Sequence, residues 1–266
     1  MDSIINELRM KGSVIVAFSG GVDSSVAAAL SYKALGKKAL AITVDSPLLP
    51  PSELKGAEKT ARQIGIRHKV IKMDELAIKG FAENPDDRCY LCKKFRLNAI
   101  KKLANKNKFS TIVDGTTASD LGEYRPGLKA LKEMGVYSPL LEAGLTKGDV
   151  RIIAGLLGLH TANKPSSPCL ASRVPYGERL TLERLRRIAA AESYIKKLTG
   201  VKILRVRDHD GLARIEVGRS ERRLFDENSM NKIADKLKKL GYKFVTLDLE
   251  YYRSGSFDEA KKCRSM

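Results

Sequence analysis

Through about residue 160 the chain alternates short apolar runs with segments of helical periodicity. Val14-Ile15-Val16-Ala17-Phe18 is a β-branched run of strand length. Ser19-Gly20-Gly21-Val22-Asp23-Ser24-Ser25 follows it directly, and Val26-Ala27-Ala28-Ala29-Leu30 comes next. Such a run, then glycines and small hydroxyls, then alanine-rich sequence predicts strand, tight turn and helix. Lys38–Val44 predicts a second buried strand, and Ser52 is expected to cap a helix through Leu54, Ala57, Ala61 and Ile64 that ends at Gly65. His68–Met73 reads as a third strand, a helix is expected near Cys92–Asn105, and Thr111–Gly115 reads as a fourth strand. Thr146, with Asp149 three residues on, starts a helix through Val150, Ile153 and Leu157. Repeated β–α alternation predicts an α/β domain, a parallel sheet with helices on both faces. Ligands in such sheets sit beyond the carboxyl ends of the strands, where the glycine loop falls.

The pattern changes near residue 165. A loop with Pro165, Pro168 and Pro175 leads to a basic helix, Thr181–Leu198. Strands Ile203–Arg207 and Leu212–Val217 follow, hinged at Asp210-Gly211, then a helix through Ile233 and Leu240 and a last strand, Phe244–Leu249. We therefore expect an α/β domain over 1–165, a small α+β domain over 166–254, and a disordered tail over 255–266. Neither internal repeats nor low-complexity tracts are present.

The loop carries the first chemical signal. Two adjacent glycines let the backbone approach an anion, and the helix behind them offers unpaired N–H groups and a positive dipole end. Ser19, Ser24 and Ser25 add hydroxyls; Asp23 could hold a Mg²⁺ or cap the helix. Neither G-x-x-x-x-G-K-[ST] nor G-x-G-x-x-G is spelled here. The loop resembles the pyrophosphate loop, S-G-G-x-D-S, of ATP pyrophosphatases, which cleave ATP to AMP and pyrophosphate and adenylate a substrate.

Composition narrows the class. The 266 residues are 43% hydrophobic, enough for a globular chain with one large or two modest cores. No run approaches the ~20 apolar residues of a membrane span, and Met1-Asp2-Ser3-Ile4 lacks the regions of a signal peptide, so a cytoplasmic protein is expected. Lys and Arg total 49 against 31 Asp and Glu, a formal charge of +18 that attracts polyanions. Aromatic residues are only 6%, with no Trp, so stacking platforms for RNA are sparse and nucleic acid is not the expected partner.

Cys89-Tyr90-Leu91-Cys92 has the spacing of a metal or redox pair. Arg88, Lys93 and Lys94 favour thiolates there. Cys169 lies in the proline-bracketed stretch Lys164–Arg173, while Cys263 falls in the tail and reads as a bystander. Zinc would want a fourth ligand, and His68, His160 and His209 show no ligand spacing. Three cysteines suit an iron–sulfur cluster with one iron left open.

Taken together, these segments resemble the LarE family, the sulfur-inserting enzymes of nickel-pincer nucleotide biosynthesis. The marks are Ser19–Ser25; Asp114-Gly115-Thr116-Thr117 with Asp120; Tyr124-Arg125-Pro126-Gly127-Leu128; Ser138-Pro139-Leu140; Pro168–Arg173 with Pro175-Tyr176-Gly177; and Arg205-Val206-Arg207 before Ala213–Val217. The resemblance implies a nucleotide α-hydrolase-like (HUP-type) first domain. It also implies a reaction in which ATP, with Mg²⁺, adenylates a carboxylate of pyridinium-3,5-biscarboxylic acid mononucleotide, after which sulfur displaces AMP. In one branch the cysteine matching Cys169 gives up its own sulfur. In another, three cysteines hold a [4Fe-4S] cluster whose extra sulfide is the donor, and Cys89, Cys92 and Cys169 match that branch. The resemblance also implies a sulfide donor as partner and a homo-oligomer, with hexamers as the family pattern.

On this reading Ser19, Gly20, Gly21, Asp23, Ser24 and Ser25 receive the phosphates. Thr43 and Val44 lie where the family places adenine and ribose, and Gly115, Thr116 and Asp120 complete the nucleotide site. Arg205 and Arg207 alternate on a strand, so both face one way and could grip the substrate phosphate. Arg173 could steady the adenylate or lower the Cys169 pKa; Glu192 and Glu216 are candidates for a metal. The nearest rival is a tRNA-thiolating enzyme with the same loop and a three-cysteine cluster. Amide-forming pyrophosphatases such as NAD or GMP synthetase use ammonia and need no such cysteines, and a non-catalytic nucleotide sensor would leave ATP intact.

Overall fold

The computed structural model describes residues 1–122, 126–253, 255 and 257. Tyr124, Arg125, Cys263 and most of the expected tail lie outside them. The chain forms two compact units, one of residues 1–78 with 87–167 and one of residues 79–86 with 168–266.

In the first unit, helix α1 (Asp2–Met10) precedes β1 (Val14–Ala17), α2 (Val22–Leu35), β2 (Ala39–Asp45), α3 (Pro51–Ile64), β3 (Arg67–Lys72), α4 (Arg88–Lys106) and β4 (Thr111–Val113). Helices α5 (Gly127–Met134), α6 (Pro139–Glu142) and α7 (Lys147–Leu156) complete it. The strands pair in parallel in the order β3-β2-β1-β4. Successive side chains of a strand face opposite ways. Val14 and Val16 therefore pack with Leu8, Val26, Leu30 and Val150 on one face, and Ile15 with Leu97, Ile100 and Leu131 on the other. Helices cover both faces, the α/β arrangement the sequence predicts.

Two starts differ in detail. Helix α3 begins at Pro51, its fixed φ suited to a first helical position, so Ser52 sits inside the helix and does not cap it. Thr146 does cap α7, in a reciprocal box with Asp149.

The second unit packs α8 (Leu182–Thr199) and α9 (Glu227–Lys239) on a sheet ordered β5 (Leu204–His209), β6 (Leu212–Val217), β7 (Phe244–Leu247). β5 and β6 are antiparallel across Asp210-Gly211, and β7 joins parallel to β6. Residues 79–86 belong here through Asn84, whose amide donates to Pro175 O at 2.7 Å and whose carbonyl accepts from Gly177 N. Among the described residues, no helix is long and apolar enough to cross a membrane.

Candidate functional site: a cavity at the carboxyl ends of β1, β2 and β4

The chain leaves β1 through Ser19 and makes its turn at Gly20, where φ is +71°. A Cβ at Gly20 would lie 2.6 Å from the Ala57 Cα, so this position lacks both the backbone freedom and the space for a side chain. Gly21 is the N-cap of α2. The hydroxyls of Ser24 and Ser25 donate to Gly21 O at 3.1 and 2.7 Å, and Ser19 N donates to Ser24 Oγ at 3.3 Å. These bonds tie the loop to the first turn of α2, whose N–H groups lack intrahelical partners. Lys164 braces the loop from outside, with Nζ 2.9 Å from Gly20 O and 2.8 Å from Glu53.

The loop forms one wall of a cavity of about 300 Å³. Ser19, Gly21, Asp23 and Ser24 line it from β1, Thr43 and Val44 from β2, and Gly115, Thr116 and Asp120 from beyond β4. Nine of the residues assigned to a nucleotide from sequence thus share one cavity. Gly20 and Ser25 do not line it; Ser25 is wholly buried beneath the loop.

Asp114 organises the β4 side. Its carboxylate accepts from Ser138 Oγ at 2.6 Å and from Thr116 N and Oγ1 at 3.1 and 2.7 Å, and pairs with Lys93 at 3.5 Å. Asp120 accepts from Thr117 N and Oγ1 and pairs with Lys147 at 3.2 Å. On the β2 side Thr43 donates to Phe18 O at 2.8 Å and sits 2.8 Å from His68 Nε2. Burial holds the His68 imidazole below its ordinary pKa.

Helix α4 closes the cavity with Lys93, Arg96, Leu97 and Ile100. Their spacing of three and four makes one stripe, and Cys89 and Cys92 continue it into the first turn. Sequence reasoning found the cysteines and missed Lys93 and Arg96 as cavity cations; their spacing of four from the thiols puts them on one helix face, but nothing local marks that face as a cavity wall.

The other assigned residues form a buried ionic network in the second unit. Cys169, half-buried, precedes a short 3₁₀ turn, Leu170–Arg173. Arg173 donates from Nε and Nη2 to Glu192 at 2.8 and 3.1 Å, and from Nη1 to Pro168 O and Cys169 O. Arg207 donates twice to Glu216, at 2.9 and 2.7 Å, and once to Ser172 O at 2.6 Å. Arg205, its guanidinium 4.7 Å from the Tyr252 ring, sits opposite Glu216 in the β5–β6 register. Burial and the neighbouring Arg173 hold its pKa below the ordinary arginine value. Leu204 and Val206 face the apolar core, so Arg205 and Arg207 do share the other face. Glu192 and Glu216 are arginine partners here. Among the described residues, no three His, Cys, Asp or Glu side chains converge to hold a metal ion.

The NAD synthase family model matches residues 1–123, the stretch that supplies β1 to β4 and the loop. The chain is 42% identical to an uncharacterized protein of Synechocystis sp., over 92% of this chain and 91% of that one. It is 35% identical to the pyridinium-3,5-bisthiocarboxylic acid mononucleotide synthase of Lactiplantibacillus plantarum, over 97% and 93%. An uncharacterized protein of Methanocaldococcus jannaschii is 32% identical over 91% of each.

Proposed function

Because this chain belongs to the LarE family of pyridinium-3,5-bisthiocarboxylic acid mononucleotide synthases, we propose that it inserts sulfur into pyridinium-3,5-biscarboxylic acid mononucleotide at the expense of ATP. The observation that carries the reading is the single cavity that gathers the Ser19–Ser24 loop, the end of β2 and the end of β4.

A carboxylate is a poor acyl donor because its oxygen leaves badly. Adenylation replaces that oxygen's fate: a substrate carboxylate oxygen bonds to the α-phosphorus of ATP, pyrophosphate departs, and AMP becomes the leaving group for sulfur. The loop supports this step. Its backbone N–H groups and the α2 dipole oppose the charge that grows on the departing pyrophosphate. Asp23 is the residue that would hold Mg²⁺, which neutralises phosphate charge when bound. Thr43 and Val44 would receive the ribose and base, Gly115 lets the β4 end approach the loop, and Thr116 and Asp120 close the site.

For the sulfur half, Cys89, Cys92 and Cys169 are the thiols that would hold a [4Fe-4S] cluster. What supports it is residue chemistry: three thiols suit iron–sulfur chemistry and the first two share one face of α4, although the described residues gather no metal-ligand group. Such a cluster, when bound, supplies a sulfide to the activated carboxyl. Arg205 and Arg207 would bind the substrate phosphate, and Arg173 orders the backbone at Cys169. The reading also carries a sulfide donor as partner, a cytoplasmic setting and a homo-oligomer.

The test is direct. Anaerobic protein mixed with ATP, Mg²⁺ and the mononucleotide should release pyrophosphate and AMP, and mass spectrometry should find carboxylate oxygen replaced by sulfur. ATP that stays intact in the presence of substrate sinks the proposal.

A further inference from the structure

Arg96 is held from behind by a carboxylate that the proposed reaction does not use. Glu75, at the start of a 3₁₀ turn, is wholly buried, and its Oε1 lies 2.6 Å from Arg96 Nε. Its other oxygen, Oε2, has no hydrogen-bond partner among the described residues. On the same guanidinium, Nη2 donates to Ser46 Oγ at 3.1 Å, and Ser46 is itself buried. Burying a carboxylate is costly unless it is paired, and here the pairing fixes the plane of an arginine at the wall of the nucleotide cavity.

The sheet order gives the direction of that arginine's use. Along β3-β2-β1-β4 the loop leaves the central strand β1, Ser46 follows β2, and Asp114 follows β4. Helix α4 lays Lys93 against Asp114 and Arg96 against Ser46, one cation on each flank of the loop. Lys93 shares its charge with Asp114 on the β4 flank. Arg96 is tied to the β2 flank through Ser46 and lines the same cavity as Val44 and Leu49, where the base and ribose are expected.

We propose that Arg96, oriented by Glu75, binds the adenylate half of the nucleotide and retains it after pyrophosphate has left. Arg96 is the binding residue and Glu75 the positioning residue. This rests on the nucleotide reading above and adds an assignment to it: the cation on the β2 flank discriminates AMP from pyrophosphate. A planar fork held at two of its nitrogens recognises a phosphate or ribose edge with a geometry that lysine does not reproduce.

Calorimetric titrations of AMP and of pyrophosphate, each into wild type, Arg96→Ala, Arg96→Lys and Glu75→Gln, test it. AMP affinity should fall about tenfold or more in Arg96→Ala. It should fall severalfold in Glu75→Gln, whose side chain lies outside the cavity, and Arg96→Lys should not restore it. Pyrophosphate affinity should change less than about twofold throughout. If Arg96→Ala fails to fold, Glu75→Gln, close in size to the native residue, reads the same split. Unchanged AMP affinity in folded variants, or equal weakening of both ligands, overturns the assignment alone. Wild-type protein that binds neither ATP nor AMP overturns the nucleotide reading beneath it.

Discussion

A Cβ on Gly115 would lie 2.6 Å from the backbone nitrogen of Ser24, so the end of β4 presses directly on the first turn of α2. That contact joins two walls of the cavity through backbone alone. Gly115→Ala must push the β4 end off the helix, with an overpacking cost of about 1–3 kcal/mol. We expect its KM for ATP to rise about tenfold or more, since a displacement near 1 Å at a positioned site has effects of this order. A KM within twofold of wild type would show that the contact does not shape the nucleotide site.

The two loop glycines should behave differently. Gly20 combines φ +71° with a 2.6 Å approach to Ala57 Cα, whereas a Cβ on Gly21 meets nothing nearer than Ser19 Oγ at 3.4 Å. Gly20→Ala should cost about 2–4 kcal/mol from left-handed strain and overpacking together. Gly21→Ala should cost less than about 1 kcal/mol. Urea midpoints of the two variants against wild type measure the contrast; equal losses would contradict it.

The buried pair Arg173–Glu192 predicts a stability effect. Their side chains are 1% and 7% exposed, and Glu192 also accepts Val206 N at 3.1 Å. Glu192→Ala leaves an arginine charge buried without that partner and should lower stability by about 3–5 kcal/mol. The double variant Arg173→Met, Glu192→Leu should recover most of the loss. Thermal unfolding of both variants checks this, and a stable Glu192→Ala would favour a role for Glu192 outside the ion pair.

The elements most legible in the sequence were those whose period is strict. β1 with its alternate-facing valines and Ile15, the Thr146–Asp149 box and the Asp210-Gly211 hinge all declare themselves locally. Helix α1 and helix α5 carried no such declaration, and residues 79–86 join the second unit through Asn84, a long-range bond that no periodicity encodes. The cavity was legible at its loop, whose glycines and serines must sit close together. Its α4 wall was not, because Lys93 and Arg96 look like any solvated basic residues until Asp114, Glu75 and Ser46 are brought to them. The same reason hides the pairing of Glu192 and Glu216 with arginines.

Two histidines set an acid limit on stability. Burial lowers the pKa of His68 below the ordinary 6.5, and burial together with Arg214 lowers that of His209, whose Nε2 accepts from Arg214 Nε at 3.2 Å. Both rings are therefore held neutral in the fold. The unfolded chain takes up protons below about pH 6.5 that the folded chain resists, so stability is full above that value and falls as pH drops toward the folded pKa. The loss is at most about 1.4 kcal/mol per histidine for each pH unit below 6.5, less where solvent screens the ring. Urea midpoints at pH 7.5 and 5.5 should show the drop, and His209→Gln should shrink it. An unchanged midpoint between those pH values would refute the assignment.

The cysteines separate two sulfur chemistries. If Cys169 gives up its own sulfur, each polypeptide yields one thiocarboxylate and Cys89 and Cys92 are dispensable. If all three thiols hold a [4Fe-4S] cluster, each is needed and the protein can turn over many times with added sulfide. Anaerobic purification followed by iron and sulfide analysis should find the cluster in wild type. Cys89→Ala, Cys92→Ala and Cys169→Ala should each lose its visible absorbance and product formation beyond background. Cys89 and Cys92 continue the α4 stripe of Lys93 and Arg96 but are not among the residues that line the cavity. Their loss should therefore leave AMP binding within about twofold of wild type, the margin expected when no ligand contact is removed. Multiple turnovers in Cys89→Ala would remove the cluster from the proposed mechanism and leave the proposal of adenylation in the cavity standing without it.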